Sequence, residues 1–254
     1  MNRFAPIALA TALSLASTLA HAQTRDGDGV VNLNQTNATA GGVHATDAPG
    51  FPISIGTSGT YRLTSNLVVP AGQHGIEVGP NLHVVIDLNG FQIVGPAVCS
   101  KTQNCANYQT GGTVGVYSAS ETTNVQVRNG RVRGFSRFAI DIDGKSTSIV
   151  EDLHLENNYS GLRADNLLAQ RVTVRHNSSK GIWMGKGQVK DSWAMDNGEA
   201  GILLDYRGRV VDTVMERNAI GLRVQLGVAM LAGTVFTENG TPVSGSVSTS
   251  SNLY

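Results

Sequence analysis

Apolar positions recur along the chain with a period of about 20 residues. A glycine followed by isoleucine or leucine stands at Gly161, Gly181, Gly201 and Gly221. Three sets of apolar residues keep a constant phase through these repeats. They are Ile140, Leu162, Ile182, Ile202 and Leu222; Ile142, Ala164, Met184, Leu204 and Val224; and Leu155, Val174, Ala194, Met215 and Phe236. This pattern predicts stacked segments in which each set forms a buried column.

An asparagine also recurs in constant phase, just after a short apolar strand. These asparagines are Asn158, Asn177, Asn197, Asn218 and Asn239. Asparagine tolerates the left-handed backbone region, and its amide can bond to the amides above and below it in a stack. We therefore predict a ladder of structural asparagines at one turn of each repeat. A second apolar stretch before each of these strands brings the total to three strands per repeat.

The period and the strand count predict the fold. A repeat of about 20 residues is too short for a propeller blade or an ankyrin unit, and it lacks the helical face of a leucine-rich repeat. The prediction is an all-β, right-handed, single-stranded parallel β-helix, a solenoid of about seven to eight coils with three short strands per coil. The right hand follows from the strong bias of parallel crossover connections.

The chain divides into four predicted regions. Residues 1–22 have a cationic start, an apolar run and a small-x-small ending, as in a signal peptide, so we expect export to the periplasm or the extracellular space. Residues 23–52 form a low-complexity leader or a partial N-terminal cap. The β-helix domain spans residues 53–240, with a loop at 96–113, and residues 241–254 form a C-terminal tail or cap.

The cysteines and the charge narrow the possible environments and partners. Cys99 and Cys105 are the only cysteines, and in an oxidising compartment such a pair predicts a small-loop disulfide rather than a zinc site.

The formal net charge of the whole chain is zero. No global field therefore attracts nucleic acid or anionic lipid, and nucleic acid is not an expected partner. We also expect no membrane span in the mature chain.

Candidate chemistry lies on the outward positions that alternate with the buried columns. One outward file beside the glycine anchors contains Tyr117, Asp141, Arg163, Trp183 and Arg223, and a second contains Asp143, Asp165 and Asp205. Neighbours in a file lie about 4.8 Å apart in a parallel sheet. The sequence therefore predicts a polar and aromatic patch spread over several coils.

This patch has two functional interpretations and one structural one. Trp183 and Tyr117 could stack on sugar rings, with Arg223 and Asp205 as hydrogen-bonding partners, in a carbohydrate-binding surface. Asp141, Asp143 and Asp165, with Arg163 among them, could bind Ca²⁺ or supply a carboxyl group of raised pKa for general acid catalysis. The structural interpretation is a solvated face whose charges pair along the strands.

Two further segments carry a resemblance to a known superfamily. They are Asn81-Leu82-His83-Val84-Val85-Ile86-Asp87-Leu88-Asn89-Gly90-Phe91 and Asn124-Val125-Gln126-Val127-Arg128-Asn129-Gly130-Arg131-Val132-Arg133-Gly134-Phe135. Together with the glycine anchors and asparagine turns, they resemble right-handed parallel β-helix proteins of the pectin-lyase-like superfamily. The resemblance implies the fold and leaves function open, because this scaffold hosts lyases, hydrolases, esterases, epimerases, adhesins and phage tailspikes.

Two hypotheses for function follow. The preferred one is an exported β-helix protein that binds an extracellular or envelope polysaccharide or serves as a surface element. The alternative is a polysaccharide lyase or glycoside hydrolase that uses Asp141, Asp143 and Asp165 with Arg163. The motif sets of polygalacturonases, pectate lyases and mannuronan epimerases are absent from the sequence, which favours the first. Ca²⁺ is a possible cofactor, and the sequence predicts no oligomeric state.

Overall fold

The computed structural model describes residues 27–44, 47–103, 105, 111–144 and 146–249. Within them the chain winds into a parallel β-solenoid of about nine turns. The predicted fold class is therefore confirmed. The predicted signal peptide, residues 1–22, lies outside the described residues, as does the end of the C-terminal tail.

Each coil contributes strands to three faces, which we call face A, face B and face C in chain order. Strands confined to face A are β2 (Ile53–Ile55), β5 (Ile76–Val78), β8 (Val114–Ser118), β10 (Phe138–Ile142), β17 (Ile220–Val224) and β20 (Thr241–Ser244). Strands confined to face B are β1 (Val31–Leu33), β3 (Gly59–Leu63), β6 (His83–Asp87), β18 (Ala229–Ala232) and β21 (Val247–Thr249). Strands confined to face C are β4 (Leu67–Val68), β7 (Gln92–Val94), β14 (Trp193–Met195), β16 (Val214–Glu216) and β19 (Val235–Thr237).

Five longer strands bend through a corner and belong to more than one face. Those that cross from face B to face C are β9 (Asn124–Arg133) and β11 (Ser148–Glu156), and those that cross from face A to face B are β13 (Ile182–Lys190) and β15 (Ala200–Val211). Strand β12 (Ser160–Arg175) passes through all three faces. All of these strands pair in parallel with strands of neighbouring coils, so equal phase in sequence becomes vertical adjacency.

The three predicted apolar columns are confirmed by the strand register. Ile140 pairs with Leu162, which pairs with Ile182, and the same file continues to residue 222. The other two columns follow the same rule. Nearly all of their members are fully buried in one continuous core. Burial of these aliphatic side chains, at about 25 cal/mol per Å² of apolar surface, is the main stabilising contribution.

The asparagine ladder forms at the corner between faces C and A. The side-chain amide nitrogen of Asn177 donates to Oδ1 of Asn197 at 2.9 Å, and that of Asn197 donates to Oδ1 of Asn218 at 2.9 Å. Each Oδ1 also accepts the backbone N–H of the preceding asparagine, and each amide also donates to a backbone carbonyl of an adjacent coil. Asn177, Asn197 and Asn218 are buried, so the ladder satisfies polar groups that water does not reach.

The left-handed backbone at this corner belongs to a different residue from the one that the sequence predicted. The residue before each ladder asparagine has positive φ: Asn157, His176, Asp196, Arg217 and Glu238. The ladder asparagines themselves are not among the residues with positive φ. Their phase is set instead by the hydrogen bonds of the buried amides, which require asparagine at each level, whereas the more accessible left-handed position accepts several residue types.

The glycine of each repeat makes room for the ladder and for the next coil. A Cβ on Gly181 would lie 2.5 Å from the carbonyl oxygen of Gly201 and 3.0 Å from the amide nitrogen of Asn197. A Cβ on Gly201 would likewise lie 2.8 Å from the amide nitrogen of Asn218. Neither glycine has a positive φ, so close approach rather than backbone conformation explains the anchor.

Two short elements brace the ends and the corner of the solenoid. Helix α1 (Gln35–Ala40) begins at the capping residue Asn34, and the Gln35 amide binds both backbone groups of Val68 at the first strand of face C. The predicted disulfide between Cys99 and Cys105 is formed. Its loop crosses several coils along the ladder corner, because Gln103 O accepts from Ser178 Oγ at 2.7 Å and Cys99 O accepts from the amide of Asn157 at 3.2 Å.

Replacing one ladder residue tests the contribution of the ladder to stability. In Asn197→Leu the side chain keeps its approximate size, but the backbone N–H of Asn177 and the carbonyl of Val174 lose buried partners. Unsatisfied buried groups cost about 1–3 kcal/mol each, so we expect the free energy of unfolding to fall by about 3 kcal/mol or more in urea denaturation. Asn124→Leu, at an exposed amide, is the control, with an expected change within about 0.5 kcal/mol. Equal losses in the two variants would contradict a stabilising ladder.

Candidate functional site

The outward side of face A carries the polar and aromatic patch that the sequence analysis singled out. Tyr117 pairs with Asp141, Asp141 with Arg163, and Arg163 with Trp183, and the file then passes through Leu203 to Arg223 and Ser244. Neighbours in this file belong to successive coils, about 4.8 Å apart. The strand register thus places the predicted residues of the first file in one row.

Arg163 is the centre of this row. Its Nη1 donates to Oδ1 of Asp141 at 3.3 Å, and its Nη2 donates to Oδ2 of Asp143 at 3.1 Å. The guanidinium carbon also lies 5.4 Å from the centroid of the Trp183 ring, within the range of a cation–π contact. Arg163 therefore links two carboxylates of the preceding coil to the indole of the following coil.

Asp141 differs from the sequence expectation because it is not accessible. It lies at an outward strand position, yet its exposed fraction is 0%. Arg163 and Arg137 enclose it: Nη2 of Arg137 lies 3.6 Å from Oδ2 of Asp141, an oxygen that accepts no hydrogen bond from the described residues. The expectation of an exposed Asp141 is thus wrong, because the long arginine side chains close over the shorter carboxylate.

Burial shifts the proton affinity of two carboxyl groups in this cluster. It raises the pKa of Asp141, although Arg163 and Arg137 oppose the shift with their positive charges. Partial burial and the negative charge of Asp143 also raise the pKa of Asp165, against the effect of Arg163. Asp143 and Asp165 directly follow the paired residues Ile142 and Ala164, so their backbones are neighbours. Asp165 is the exposed member of this carboxylate group.

Trp183 is held by side chains on several sides. Its indole N–H donates to Oδ2 of Asp205 at 2.8 Å, and its ring lies 5.3 Å from Nζ of Lys180. The ring of Phe138, two coils away, lies at a centroid distance of 6.3 Å. The indole is therefore half-buried and fixed in orientation. The carboxylate of Asp205 holds this orientation by accepting the indole hydrogen bond.

The sequence analysis missed the residues that flank the row at the ladder corner. Glu199 accepts from Nζ of Lys180 at 2.7 Å and from Nη1 of Arg223 at 2.7 Å. Burial alone would raise the pKa of Glu199, but hydrogen bonds from Lys180 and Ser179 and the charges of Lys180 and Arg223 lower it. Arg137 and Glu199 could have been recognised from the sequence, because each stands two residues before the glycine-anchor position of its coil.

His74 extends the cluster at its N-terminal side. Its ring stacks on Tyr117 at a centroid distance of 5.2 Å, and its Nδ1 accepts the backbone N–H of Val114 at 3.0 Å. Burial lowers the pKa of His74, and Glu77 partly opposes this effect. A neutral His74 with Nδ1 occupied carries its proton on Nε2, which can donate to a ligand.

A calcium site is not supported by the described residues. Among them, no group of three or more histidine, cysteine, aspartate and glutamate side chains is arranged to hold a metal ion. Arg163 explains this, because its guanidinium occupies the position between Asp141 and Asp143 that a cation would need.

The described helix is too short to cross a membrane.

Comparison with known proteins identifies the family. A family model described as a right-handed beta helix region matches residues 53–220, more than half of the chain. The chain belongs to this family. This match confirms the resemblance to right-handed parallel β-helix proteins of the pectin-lyase-like superfamily. No curated protein and no solved structure matches the chain.

The raised pKa of Asp141 leads to a prediction about pH. A carboxyl group whose pKa is higher in the folded than in the unfolded state contributes stability at low pH that is lost as pH rises through the folded pKa. Asp141→Asn removes this titration. We therefore expect the melting temperature of the variant, relative to the wild type, to increase as pH rises from about 3.5, below the ordinary aspartate pKa, to 7. A difference that is constant across this range would contradict the prediction.

Proposed function

We propose that this right-handed β-helix protein is exported and binds an extracellular or envelope polysaccharide along face A. The observation that carries the proposal is the row from Tyr117 through Arg163 and Trp183 to Arg223, which places two aromatic side chains and two arginines in one file of a rigid sheet. Sugar rings present apolar C–H faces and hydroxyl groups, and this row offers a complement to both. Export is supported by the predicted signal peptide and by the disulfide between Cys99 and Cys105.

The rigidity of the row supports binding to an extended chain. Trp183 is fixed by Asp205 and Lys180, and Arg163 is fixed by two carboxylates. Fixed side chains lose little conformational entropy when a ligand binds, so more of the contact energy appears as affinity. The strands repeat every 4.8 Å or so, and a linear polymer could therefore contact several coils along the solenoid axis.

A second candidate function is cleavage of the polysaccharide. The observation in its favour is the raised pKa of Asp165, whose backbone neighbours that of Asp143, since a carboxyl group of raised pKa suits general acid catalysis. Asp141 is buried and would act only by positioning Arg163. An enzyme on this face would thus depend on Asp143 and Asp165.

Binding assays with two tryptophan variants test the proposal. Trp183→Ala removes the central aromatic ring of the row, and we expect at least a tenfold loss of affinity in affinity electrophoresis against a panel of neutral and acidic polysaccharides. Trp193→Ala, which removes an exposed indole from face C, is the matched control and should bind like the wild type. Lack of binding by the wild type to every polysaccharide, or equal losses in the two variants, would contradict the proposal.

The same samples separate binding from catalysis. Unsaturated uronides or new reducing ends that disappear in Asp143→Asn and Asp165→Asn would support the second candidate. Binding without such products would support the first.

A further inference from the structure

A groove on face B has properties that the face A site does not explain. It encloses about 750 Å³ and follows the outward side of the last coils. Its lining includes the cationic side chains of Lys186, Arg207 and Arg209 and the apolar side chains of Val228 and Met230. Glycines and neutral polar residues make up the rest of the lining, which contains no carboxylate. We call it the face B groove.

Strand register places the cations of the groove directly beside its apolar side chains. Lys186 pairs with Arg207, and Arg209 pairs with Met230 in the next coil. Val228 precedes Ala229, the partner of Gly208, and so continues the file that contains Arg207. Two parallel files therefore change from cationic to apolar in the same direction along the solenoid axis.

The groove cations form no ion pair with any residue that the structure describes, unlike Arg163 and Arg217. Among the described residues, Lys186, Arg207 and Arg209 form no ion pair, and Nε of Arg209 is buried without a hydrogen-bond partner. By contrast, Arg163 and Arg217 are each held by carboxylates at about 3 Å. Unpaired positive charges at a concave surface complement an anionic ligand.

The apolar part of the groove is exposed to an unusual degree. The exposed fractions are 45% for Val228 and 41% for Met230, and the adjoining corner adds Tyr206 at 59% and Leu226 at 62%. This corner lengthens from coil to coil: two residues lie between the paired positions Met184 and Gly187, three between Leu204 and Gly208, and four between Val224 and Ala229. The added residues form an apolar ridge beside the cations.

We propose that the face B groove docks on an anionic lipid surface. Cations flanked by exposed aliphatic side chains match the two layers of such a surface, in which phosphate groups lie above acyl chains. A soluble acidic polysaccharide would satisfy the cations but leave Leu226, Val228 and Met230 exposed to water. The zero net charge of the chain does not conflict with this, because the attraction comes from a local cluster within a Debye length of the membrane.

Vesicle sedimentation with charge variants tests this docking. The full-length mature protein is incubated with vesicles of phosphatidylglycerol and phosphatidylcholine, and with vesicles of phosphatidylcholine alone. Each basic side chain near an anionic membrane is worth about a factor of five in partitioning, so Arg207→Gln/Arg209→Gln should bind the anionic vesicles about 25-fold more weakly. The control is Arg131→Gln/Arg133→Gln, which removes two exposed arginines at the same spacing from face C and should leave binding unchanged.

A second variant separates lipid contact from charge attraction alone. Val228→Ser/Met230→Ser keeps all cations, and we expect it to sediment more weakly than the wild type with the same anionic vesicles at the same ionic strength. Loss of vesicle binding in the arginine control, equal binding to neutral vesicles, or no binding to anionic vesicles would overturn the proposal. Binding to polygalacturonate that depends on Arg207 and Arg209, without binding to vesicles, would also overturn it and assign the groove to a polysaccharide. Trp183→Ala should leave vesicle binding unchanged, so failure of the face A proposal is detected separately.

Discussion

Parallel pairing between successive coils is the constraint on which the rest of the structure depends. Because each strand bonds to the strand of equal phase one coil away, strand residues of the central coils contact residues about 20 positions earlier and later in the chain. Buried positions must then be filled by side chains that stack on their own kind, as in the aliphatic columns and the asparagine ladder. The same constraint places Arg163 beside Asp141 and Trp183, so the candidate site is a consequence of the register as much as of the residues.

The outward faces differ in how they use charge. On face A the charges of Arg163, Lys180 and Arg223 are balanced by carboxylates, which gives a closed network around Trp183. On face B the charges of Arg207 and Arg209 have no ion-pair partner within the described part of the chain, and they lie beside exposed aliphatic side chains. A paired network favours fixed geometry and recognition by hydrogen bonds, whereas unpaired cations favour attraction of an anionic partner. The two surfaces therefore suit different ligands on one rigid scaffold.

The features that depend on a residue's position within the repeat could be predicted from the sequence. The features that depend on how far a side chain extends across a face could not. The columns from Ile140 and Ile142 onward, the asparagine ladder and the row from Tyr117 to Arg223 all follow from period alone. The burial of Asp141 does not, because it depends on how far Arg137 and Arg163 extend across the face. The groove on face B also escaped notice, although a signal was present: the spacing of the ladder asparagines increases from 20 residues, between Asn177 and Asn197, to 21 between Asn197 and Asn218.

Engineered disulfides between coils test the register most directly. Thr173 and Trp193 pair on face C, where neighbouring strands lie within the Cα separation that a disulfide requires, and the native cysteines are already bonded to each other. Val214 pairs with Trp193 and is therefore two coils from Thr173. The stacked solenoid predicts that Thr173→Cys/Trp193→Cys forms an intramolecular disulfide, detected by mass spectrometry of the digested protein, and that Thr173→Cys/Val214→Cys does not. Closure of the second pair without the first would contradict the register, and the proposed sites on faces A and B would lose their basis.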